Sequence, residues 1–301
     1  MGRLPRLVAT DLDGTLLRAD HTVSPRTVEA ISRISAEGTG VVLVTGRPIR
    51  WLPHVYDQLG QPLPTVCANG AVVYDPVADR VLRADPLAPD LLAEVVQRLR
   101  AEVPGVSFAV EVTDGREFRH EMDYPPRWER GRPNIRAIEN PADLHAVPAV
   151  KLLARAEAQD PDVFVKVVAG ALAGLAEATH SSYSGLIEIS AAGVTKAAGL
   201  AWYCTGRGVD AADVVAFGDM PNDVPMLTWV GRAVAVANAH PAVLEIADDV
   251  TARNEEDGVA AYLEALLDSD PTDASGDSDP THVPDAAEPG RDATGRSGGP
   301  A

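Results

Sequence analysis

The sequence has few cysteines, few aromatic residues and no long apolar run. Its two cysteines, Cys67 and Cys204, lie far apart and lack the spacing of a zinc site or a redox pair, so we expect buried free thiols. No apolar stretch approaches the ~18 to 20 residues that a membrane span needs. Residues 1–5 lead directly into a short apolar segment and do not have the pattern of a targeting signal. We therefore expect a soluble, cytoplasmic protein with no membrane partner.

Positive charge is also scarce. The chain carries 26 Lys and Arg against 44 Asp and Glu, which gives a formal net charge of -18. Because nucleic-acid phosphates select basic surfaces, we expect no nucleic-acid partner. Part of the negative charge lies in residues 269–301, which consist mainly of Asp, Pro, Ser, Thr, Gly and Ala. Such a segment cannot bury enough apolar surface to offset the entropy lost on ordering, so we predict a disordered acidic tail.

The rest of the chain carries the alternating pattern of an α/β protein. A short apolar strand at residues 6–10 is followed by a helix that starts at Ser24-Pro25 and ends at Gly38, and then by a buried strand at 41–44. Helical and strand segments alternate again between residues 196 and 236. This order predicts a doubly wound, Rossmann-like parallel sheet with helices on both faces.

Residues 81–185 have a different sequence pattern, which indicates helices together with strands in which apolar and polar residues alternate. This pattern predicts an α+β module inserted into the parallel domain. We therefore expect a core made of residues 1–80 and 186–268, an inserted cap domain at 81–185, and the tail at 269–301. Basic and aromatic residues of the insert could contact a substrate, although exposed arginines on a half-buried sheet are the simpler explanation. They are Arg116, Arg119, His120, Arg127, Trp128, Arg130 and Arg132.

Acidic residues follow two of the predicted strands. Asp11 and Asp13 are separated by one residue at the end of the first strand. Both side chains can therefore project into the crevice at the carboxyl ends of the parallel strands. One carboxylate could attack phosphorus while the other holds a proton for a leaving group. A calcium loop or a plain polar turn is an alternative for this segment alone. Asp219 and Asp223 enter a later helix, where they could share a hard cation such as Mg²⁺ or simply cap the helix.

Two further segments suit phosphate binding. Thr45 and Gly46 follow the second strand and supply a hydroxyl and backbone N–H groups. Lys196 stands at a helix start and adds a positive charge. Phosphoryl transfer needs a nucleophile, neutralisation of the phosphoryl oxygens and a proton for the leaving group, and these segments together provide all three.

The order of these segments resembles the haloacid dehalogenase (HAD) superfamily, and within it the Cof-like (IIB) phosphohydrolases. The resemblance covers residues 6–268 and rests on Asp-x-Asp-Gly-Thr at 11–15, Thr-Gly-Arg at 45–47, the lysine at 196 and Gly-Asp-x-x-Asn-Asp at 218–223. It departs from the family pattern at Ala197, where glycine is more usual, and at Pro221. The first departure concerns local helix packing, and the second could stiffen the metal loop.

The resemblance implies a role for each matching residue. Asp11 would form an aspartyl-phosphate, and Asp13 would protonate the leaving group and then activate water. Mg²⁺ would be held by the Asp11 carboxylate, the Asp13 backbone carbonyl and Asp219, with Asp223 as a direct or water-mediated ligand. The phosphoryl oxygens would be bound by the Leu12 amide, Thr45, Gly46, Lys196 and Asn222.

We therefore expect a magnesium-dependent phosphatase that acts on small phosphomonoesters, such as sugar phosphates or a flavin nucleotide phosphate. The resemblance argues against dehalogenation, because dehalogenases match the first aspartate and not the residue at Asp13. Two alternatives remain open at this point. One is a hexose-phosphate phosphotransferase or mutase of the same superfamily, and the other is a non-catalytic regulatory binding protein.

Overall fold

The computed structural model describes residues 4–126, 134–156, 160–181 and 185–269. The expected disordered tail lies outside these residues except for Ser269, and so do Arg127, Trp128, Arg130 and Arg132 of the basic cluster. In the described part of the chain, no helix is long and apolar enough to cross a membrane.

Helices and strands alternate through the first and last thirds of the chain. The helices are α1 (Pro25–Ala36), α2 (Pro53–Leu59), α3 (Pro89–Glu102), α4 (Pro161–Leu172), α5 (Lys196–Thr205), α6 (Val224–Trp229), α7 (Pro241–Leu244) and α8 (Gly258–Asp268). The strands are β1 (Leu7–Thr10), β2 (Gly40–Val44), β3 (Thr65–Cys67), β4 (Val72–Asp75), β5 (Arg80–Ala84), β6 (Ser107–Val112), β7 (Glu117–Glu121), β8 (Ile135–Ile138), β9 (Ala149–Arg155), β10 (Ala176–Thr179), β11 (Leu186–Ala191), β12 (Val214–Gly218), β13 (Arg232–Val236) and β14 (Asp249–Thr251).

The first sheet has eight strands in the order β14-β13-β12-β1-β2-β3-β4-β5. The strands from β14 to β3 pair in parallel, and β4 and β5 extend one edge as an antiparallel hairpin. Successive residues of β1 point to opposite faces, so Val8 packs with the helix residues Ile31 and Leu263 while Ala9 packs with Leu200 of α5. The sheet is therefore covered by helices on both faces, and the predicted doubly wound α/β core is confirmed.

The second sheet has six strands in the order β10-β11-β9-β6-β7-β8, and all of its pairs are antiparallel except β7 with β8. Apolar side chains cover one of its faces and pack against α3 and α4, for example Phe108, Leu152 and Ile189 against Leu99 and Phe164. Polar and charged side chains alternate with them along the strands. One face of this sheet is thus an apolar core, and the other is available to the first sheet.

The two sheets use different parts of the chain. Residues 80–84 form β5 at the edge of the first sheet, so the chain leaves that sheet only after Ala84. Residues 186–191 form β11 inside the second sheet, and the chain returns to the first unit at the start of α5. Strand β10 at Ala176–Thr179 pairs with β11 at the edge of the second sheet.

Candidate active site

The candidate site lies where three neighbouring parallel strands end. Strand β1 lies between β12 and β2 in the sheet, so their carboxyl ends share one edge. Asp11 follows β1, Thr45 follows β2, and Asp219 follows β12. Open parallel sheets bind ligands at this edge, because the loops there leave a crevice between them. The structure therefore brings together segments that are more than 200 residues apart in sequence.

The turn after β1 is closed by backbone hydrogen bonds. The Leu12 carbonyl accepts from the amides of Thr15 at 3.3 Å and Leu17 at 2.8 Å. Gly14 has a φ of +81°, a conformation that glycine adopts without the strain a side chain would add. The Thr15 hydroxyl then donates to Asp219 Oδ1 at 3.0 Å. The turn thus places Asp11 and Asp13 next to the loop that carries Asp219.

We expect Gly14→Ala to abolish most of the activity through the position of Asp219. A Cβ at Gly14 would lie 2.2 Å from Asp219 Oδ2, so the carboxylate must move. Gly38→Ala is the matched control, because Gly38 has a φ of +88° and no atom lies within 4 Å of the place that its Cβ would occupy. Both substitutions cost about 1–2 kcal/mol of stability through the left-handed backbone. Equal loss of Mg²⁺-dependent turnover in both variants would show that the contact with Asp219 does not matter.

Lys196 is the buried centre of the site. It is the first residue of α5, which begins there because the Thr195 hydroxyl caps the helix by accepting from the Ala198 amide at 3.1 Å. Its Nζ donates to Asp11 Oδ1 at 2.7 Å and to Asp223 Oδ1 at 2.6 Å. An ammonium with no exposed surface is stable only when its charge is paired, and two carboxylates pair it here.

Asp223 holds the second acidic loop in place. Its Oδ2 accepts from the backbone amides of Asp219 and Met220, each at 3.0 Å, while its Oδ1 receives the Lys196 bond. Asp11, Asp219 and Asp223 form a buried cluster, in which one carboxylate oxygen from each residue lies within 4.8 Å of the other two. Three oxygen donors at this separation, with a single lysine between them, match the ligands that hard divalent cations prefer. The residues present therefore fit a metal ion.

Burial changes the protonation of these groups. It raises the pKa of the Asp11 carboxyl to about 7, against the opposing attraction of the Lys196 ammonium. Burial, and then the charges of Asp11 and Asp223, raise the pKa of Asp219 well above its usual value. Burial acts to lower the pKa of Lys196, but the two carboxylates outweigh it and keep the ammonium charged. The cluster thus has an excess of negative charge that a cation would relieve.

Asp13 lies in a different environment from Asp11. Arg47 donates to it twice, from Nε to Oδ2 at 2.6 Å and from Nη2 to Oδ1 at 2.5 Å, and His21 Nδ1 lies 3.5 Å from Oδ1. Burial acts to raise the pKa of Asp13, but the hydrogen bonds from Arg47 and His21 outweigh it and hold the pKa below its usual range. Asp13 is therefore ionised in this arrangement, and its side chain is 45% exposed.

The remaining predicted phosphate-binding residues line the same edge. The Thr45 hydroxyl accepts from the Arg47 amide at 3.1 Å, which turns the loop that carries Gly46. Asn222 Nδ2 donates to Asn69 Oδ1 at 3.1 Å, and its own Oδ1 is buried without a hydrogen-bond partner among the described atoms. Gly46 and Asn222 line the same cavity as Asp11 and Asp13.

Two buried residues of the second sheet also reach this site, and the sequence pattern assigned them no role. Lys151 of β9 donates from Nζ to the Gly46 carbonyl at 2.5 Å and lies 3.4 Å from Glu188 of β11. Asn69 Nδ2 donates to Glu188 as well. The signal available in the sequence is a lysine inside the apolar run of β9, which is costly to bury unless it has a partner. These contacts join the second sheet to the loops of the first.

A cavity of about 120 Å³ lies between the two units and is lined by both. Asp11, Asp13 and Gly46 line its floor, and residues of the second sheet line its walls. Arg116 and Arg119 of the predicted basic cluster are not part of the lining that the described residues form, since they pair with Asp79 and Glu117. His120 is buried, and its Nδ1 lies 2.8 Å from the Glu121 carbonyl.

Ala197 and Pro221 do not disturb the site. Ala197 is partly exposed. The residue of α5 that packs tightly against the neighbouring loop is Gly199, where an added Cβ would lie 2.9 Å from Gly70 Cα. Pro221 begins the helical turn that contains Asn222 and Asp223, a position that does not need a backbone N–H. Both cysteines are free and buried.

The fold and the site together define a doubly wound α/β core with an aspartate-rich edge that fits a divalent cation. The sequence model of the haloacid dehalogenase-like hydrolases matches residues 8–263, and the chain belongs to this family. The resemblance to its Cof-like phosphohydrolases is confirmed by this match and by the phosphatases among the relatives.

Particular relatives can be named. The 5-amino-6-(5-phospho-D-ribitylamino)uracil phosphatase YitU of Bacillus subtilis is 32% identical over 264 residues, which cover 86% of this chain and 96% of the relative. The pyridoxal phosphate phosphatase YbhA of Escherichia coli is 30% identical over 274 residues, with 87% and 98% covered. The crystal structure of SMU.1108c from Streptococcus mutans superposes with a TM-score of 0.79 at 20% identity, covering 88% of this chain and 100% of that one.

Proposed function

We propose that the protein is a Mg²⁺-dependent phosphatase that hydrolyses small phosphomonoesters through an aspartyl-phosphate on Asp11. The observation that carries the proposal is the buried cluster in which Lys196 bridges Asp11 and Asp223, with Asp11 lining a cavity that the second unit also lines. A binding site would need the charges around a phosphate but no second carboxylate beside the first. The presence of both Asp11 and Asp13 at the cavity floor therefore favours an enzyme.

The metal site would use the oxygens of this cluster. Asp11 and Asp219 are the proposed direct carboxylate ligands, together with the backbone carbonyl of Asp13. Asp223 would act through a water molecule, because both of its oxygens already accept hydrogen bonds. When bound, Mg²⁺ supplies positive charge beside the transferred phosphoryl group and keeps Asp11 ionised. Oxygen donors without histidine or cysteine favour Mg²⁺ over zinc.

The chain's own residues account for the two transfer steps. Asp11 would attack phosphorus while Lys196, Thr45, Asn222 and the amides of Leu12 and Gly46 bind the phosphoryl oxygens. Charge that develops on these oxygens is stabilised by groups already in place, which is the largest usual contribution to such catalysis. A water molecule would then attack the phosphorus of the aspartyl-phosphate and release inorganic phosphate.

Asp13 would carry the proton for both steps. It protonates the leaving alcohol in the first step and accepts a proton from water in the second. In the described arrangement Arg47 donates to both oxygens of Asp13, so this ion pair must separate before the carboxyl group can hold a proton. Arg47 lines the cavity, where an incoming phosphate ester would compete with Asp13 for its guanidinium.

We propose that residues 85–192 act as a cap that covers the site during catalysis. The Lys151 bond to Gly46 and the Asn69 bond to Glu188 join this unit to the phosphate loops. Closure would exclude bulk water and strengthen the electrostatic interactions inside the site. The cytoplasmic location, and the absence of nucleic-acid and membrane partners, stay predictions from the sequence.

The relatives support small phosphate esters as the substrate class. YitU is named for a phosphorylated ribitylaminouracil and YbhA for pyridoxal phosphate, and both names describe removal of a phosphoryl group from a small metabolite. We propose that this chain acts on esters of similar size. A mutase would instead pass the phosphoryl group to a sugar hydroxyl, and its activity would depend on a bisphosphate activator.

The test is release of inorganic phosphate from a panel of phosphomonoesters with Mg²⁺ or with a chelator, together with thermal unfolding. We expect turnover only with Mg²⁺, and we expect Mg²⁺ at 100 times its Kd to stabilise the fold by about 2.7 kcal/mol. Asp219→Asn should lose both effects, whereas the exposed Asp210→Asn should keep both. Mg²⁺-independent turnover, or turnover only with a bisphosphate activator, would contradict the proposal.

A further inference from the structure

A short turn after β3 lies against the loop at residues 45–47. The Asn69 amide donates to the Thr45 carbonyl and the Ala68 amide donates to the Arg47 carbonyl, each at 3.0 Å. Asn69 has a φ of +57°, a left-handed conformation that asparagine adopts more readily than most residues with a side chain. Asn69 is also buried, and the mechanism described above gives its side chain no role. A strained backbone that holds a buried amide beside an active site indicates a function for that amide.

The side-chain amide of Asn69 connects the two units. Its Nδ2 donates to the carboxylate of Glu188 on β11, and its Oδ1 accepts from Asn222 Nδ2 at 3.1 Å. Glu188 and Asn222 are buried as well. Lys151 Nζ lies 3.4 Å from Glu188 Oε1, so the charge of the buried carboxylate is paired. Glu188, Asn69 and Asn222 thus form a hydrogen-bond relay that runs from the second sheet to a predicted phosphate-binding residue.

The carboxylate fixes the direction of this relay. An ionised carboxylate only accepts hydrogen bonds, so Asn69 must turn its amino group towards Glu188 and its oxygen towards Asn222. Asn222 must therefore present its own amino group to Asn69. That amino group carries two N–H donors, and one of them remains for a phosphoryl oxygen in the cavity that Asn222 lines. Because hydrogen bonds in a chain polarise one another, the relay also strengthens this remaining donor.

We infer that Glu188 and Asn69 are positioning residues for phosphate binding and that they act through Asn222. The inference rests on the phosphatase function proposed above. Glu188 belongs to the second sheet, whereas Asn69 follows β3 and Asn222 follows β12 of the first sheet. The relay is therefore complete only when the two units are in contact. Contact between the units thus determines whether Asn222 holds its donor in place for the phosphate.

The first experiment is a double-mutant cycle on kcat/KM, with acetyl phosphate and Mg²⁺. Asn222→Ala should lower kcat/KM by about 100-fold, the usual cost of removing one donor to a developing negative charge. Glu188→Gln should lower it by about tenfold, because a glutamine amide can face Asn69 with either end and no longer fixes the relay. Adding Glu188→Gln to Asn222→Ala should change kcat/KM by less than about twofold. Losses that multiply, or no loss in Glu188→Gln alone, would overturn the inference.

A rescue experiment separates positioning from packing. Asn69→Asp keeps an acceptor for Asn222 but places a second carboxylate against Glu188, so we expect kcat/KM to fall by about 100-fold. When Asn69→Asp is combined with Glu188→Gln, the glutamine can donate to the carboxylate at position 69 and the relay regains its direction. The combined variant should exceed Asn69→Asp alone by at least about tenfold in kcat/KM. Absence of any recovery would contradict the relay.

Glu121→Gln is the matched control. Glu121 is also a buried carboxylate of the second sheet, where it accepts from the Phe108 amide and pairs with Arg100. It is not part of the cavity lining that the described residues form. The substitution should change kcat/KM by less than about twofold, because no phosphate-binding side chain depends on it. Thermal unfolding of each variant checks that the fold is retained.

Binding of inorganic phosphate distinguishes this inference from the phosphatase function. With Mg²⁺ present, calorimetry should give a Kd for phosphate about tenfold higher in Glu188→Gln than in the wild type, the change that follows from one weakened hydrogen bond. If the wild type hydrolyses no ester but the two Kd values differ in this way, the relay is supported and the phosphatase function is not. Equal Kd values would overturn the relay even in an active enzyme. A wild type that neither hydrolyses esters nor binds phosphate would overturn both.

Discussion

Replacing Asp11 by asparagine is expected to lower kcat on every substrate by about 10⁴-fold or more, because the neutral amide cannot attack phosphorus. The variant should remain folded, since Lys196 keeps its bond to Asp223 at 2.6 Å and asparagine fills the same volume. The measurement is phosphate release at saturating Mg²⁺, with circular dichroism and thermal unfolding as checks of the fold. A variant that is folded and retains more than about a hundredth of the activity would show that Asp11 is not the nucleophile.

The effect of Asp13→Asn should differ from that of Asp11→Asn, because it should depend on the leaving group of the substrate. We expect a loss of about 10²- to 10⁴-fold on alkyl esters, whose leaving alkoxide needs a proton. In the first transfer step, the loss of rate should be smaller on acetyl phosphate, because its leaving carboxylate does not need a proton. Rapid-quench measurement of the first turnover separates that step from hydrolysis of the aspartyl-phosphate, where Asp13 acts on both substrates. An identical loss on both esters in the first turnover would contradict the assigned role.

Lys196→Met is expected to have the largest effect on stability. The substitution leaves Asp11 and Asp223 buried beside each other without their shared cation, and breaking a buried ion pair in this way costs about 3–5 kcal/mol. We expect urea denaturation without Mg²⁺ to give a correspondingly lower free energy of unfolding. Phosphate release should also fall by about 10²- to 10³-fold with Mg²⁺ present, because a phosphoryl-binding charge is lost.

Lys166→Met is the control for this substitution. Lys166 lies on α4 and is exposed, so the same change there should alter the free energy of unfolding by less than about 0.5 kcal/mol. If Lys196→Met unfolds at the same urea concentration as this control, the ammonium does not compensate the buried carboxylates. The account of the site's electrostatics would then be wrong.

Much of the first unit could be predicted from the sequence because its signals are local. The helix α5 begins at Lys196, the helix start that the sequence predicts, and Ser24 caps α1 by accepting from the Thr27 amide. The order of strands and helices, with the handedness of parallel connections, places the ends of β1, β2 and β12 side by side. The convergence of Asp11, Thr45 and Asp219 follows from that order alone.

The cap was harder to predict because its features depend on contacts between distant residues. Strand β5 joins the first sheet by pairing with β4, and β11 joins the second by pairing with β9 and β10, and no local pattern assigns a strand to one sheet or the other. Lys151 and Arg155 in β9 look like breaks in an apolar run until the facing unit is known. Arg47 likewise pairs with Asp13 only because the ends of β1 and β2 are adjacent.

The most direct test of the central mechanism is to trap the covalent intermediate. The enzyme would be mixed with acetyl phosphate and Mg²⁺, quenched in acid within the first turnover, reduced with borohydride, and digested for peptide mass spectrometry. Borohydride converts an aspartyl-phosphate to homoserine, so the account predicts homoserine at position 11 in the wild type and none in Asp11→Asn. Homoserine at another aspartate, or none at any position in enzyme that turns over, would contradict it.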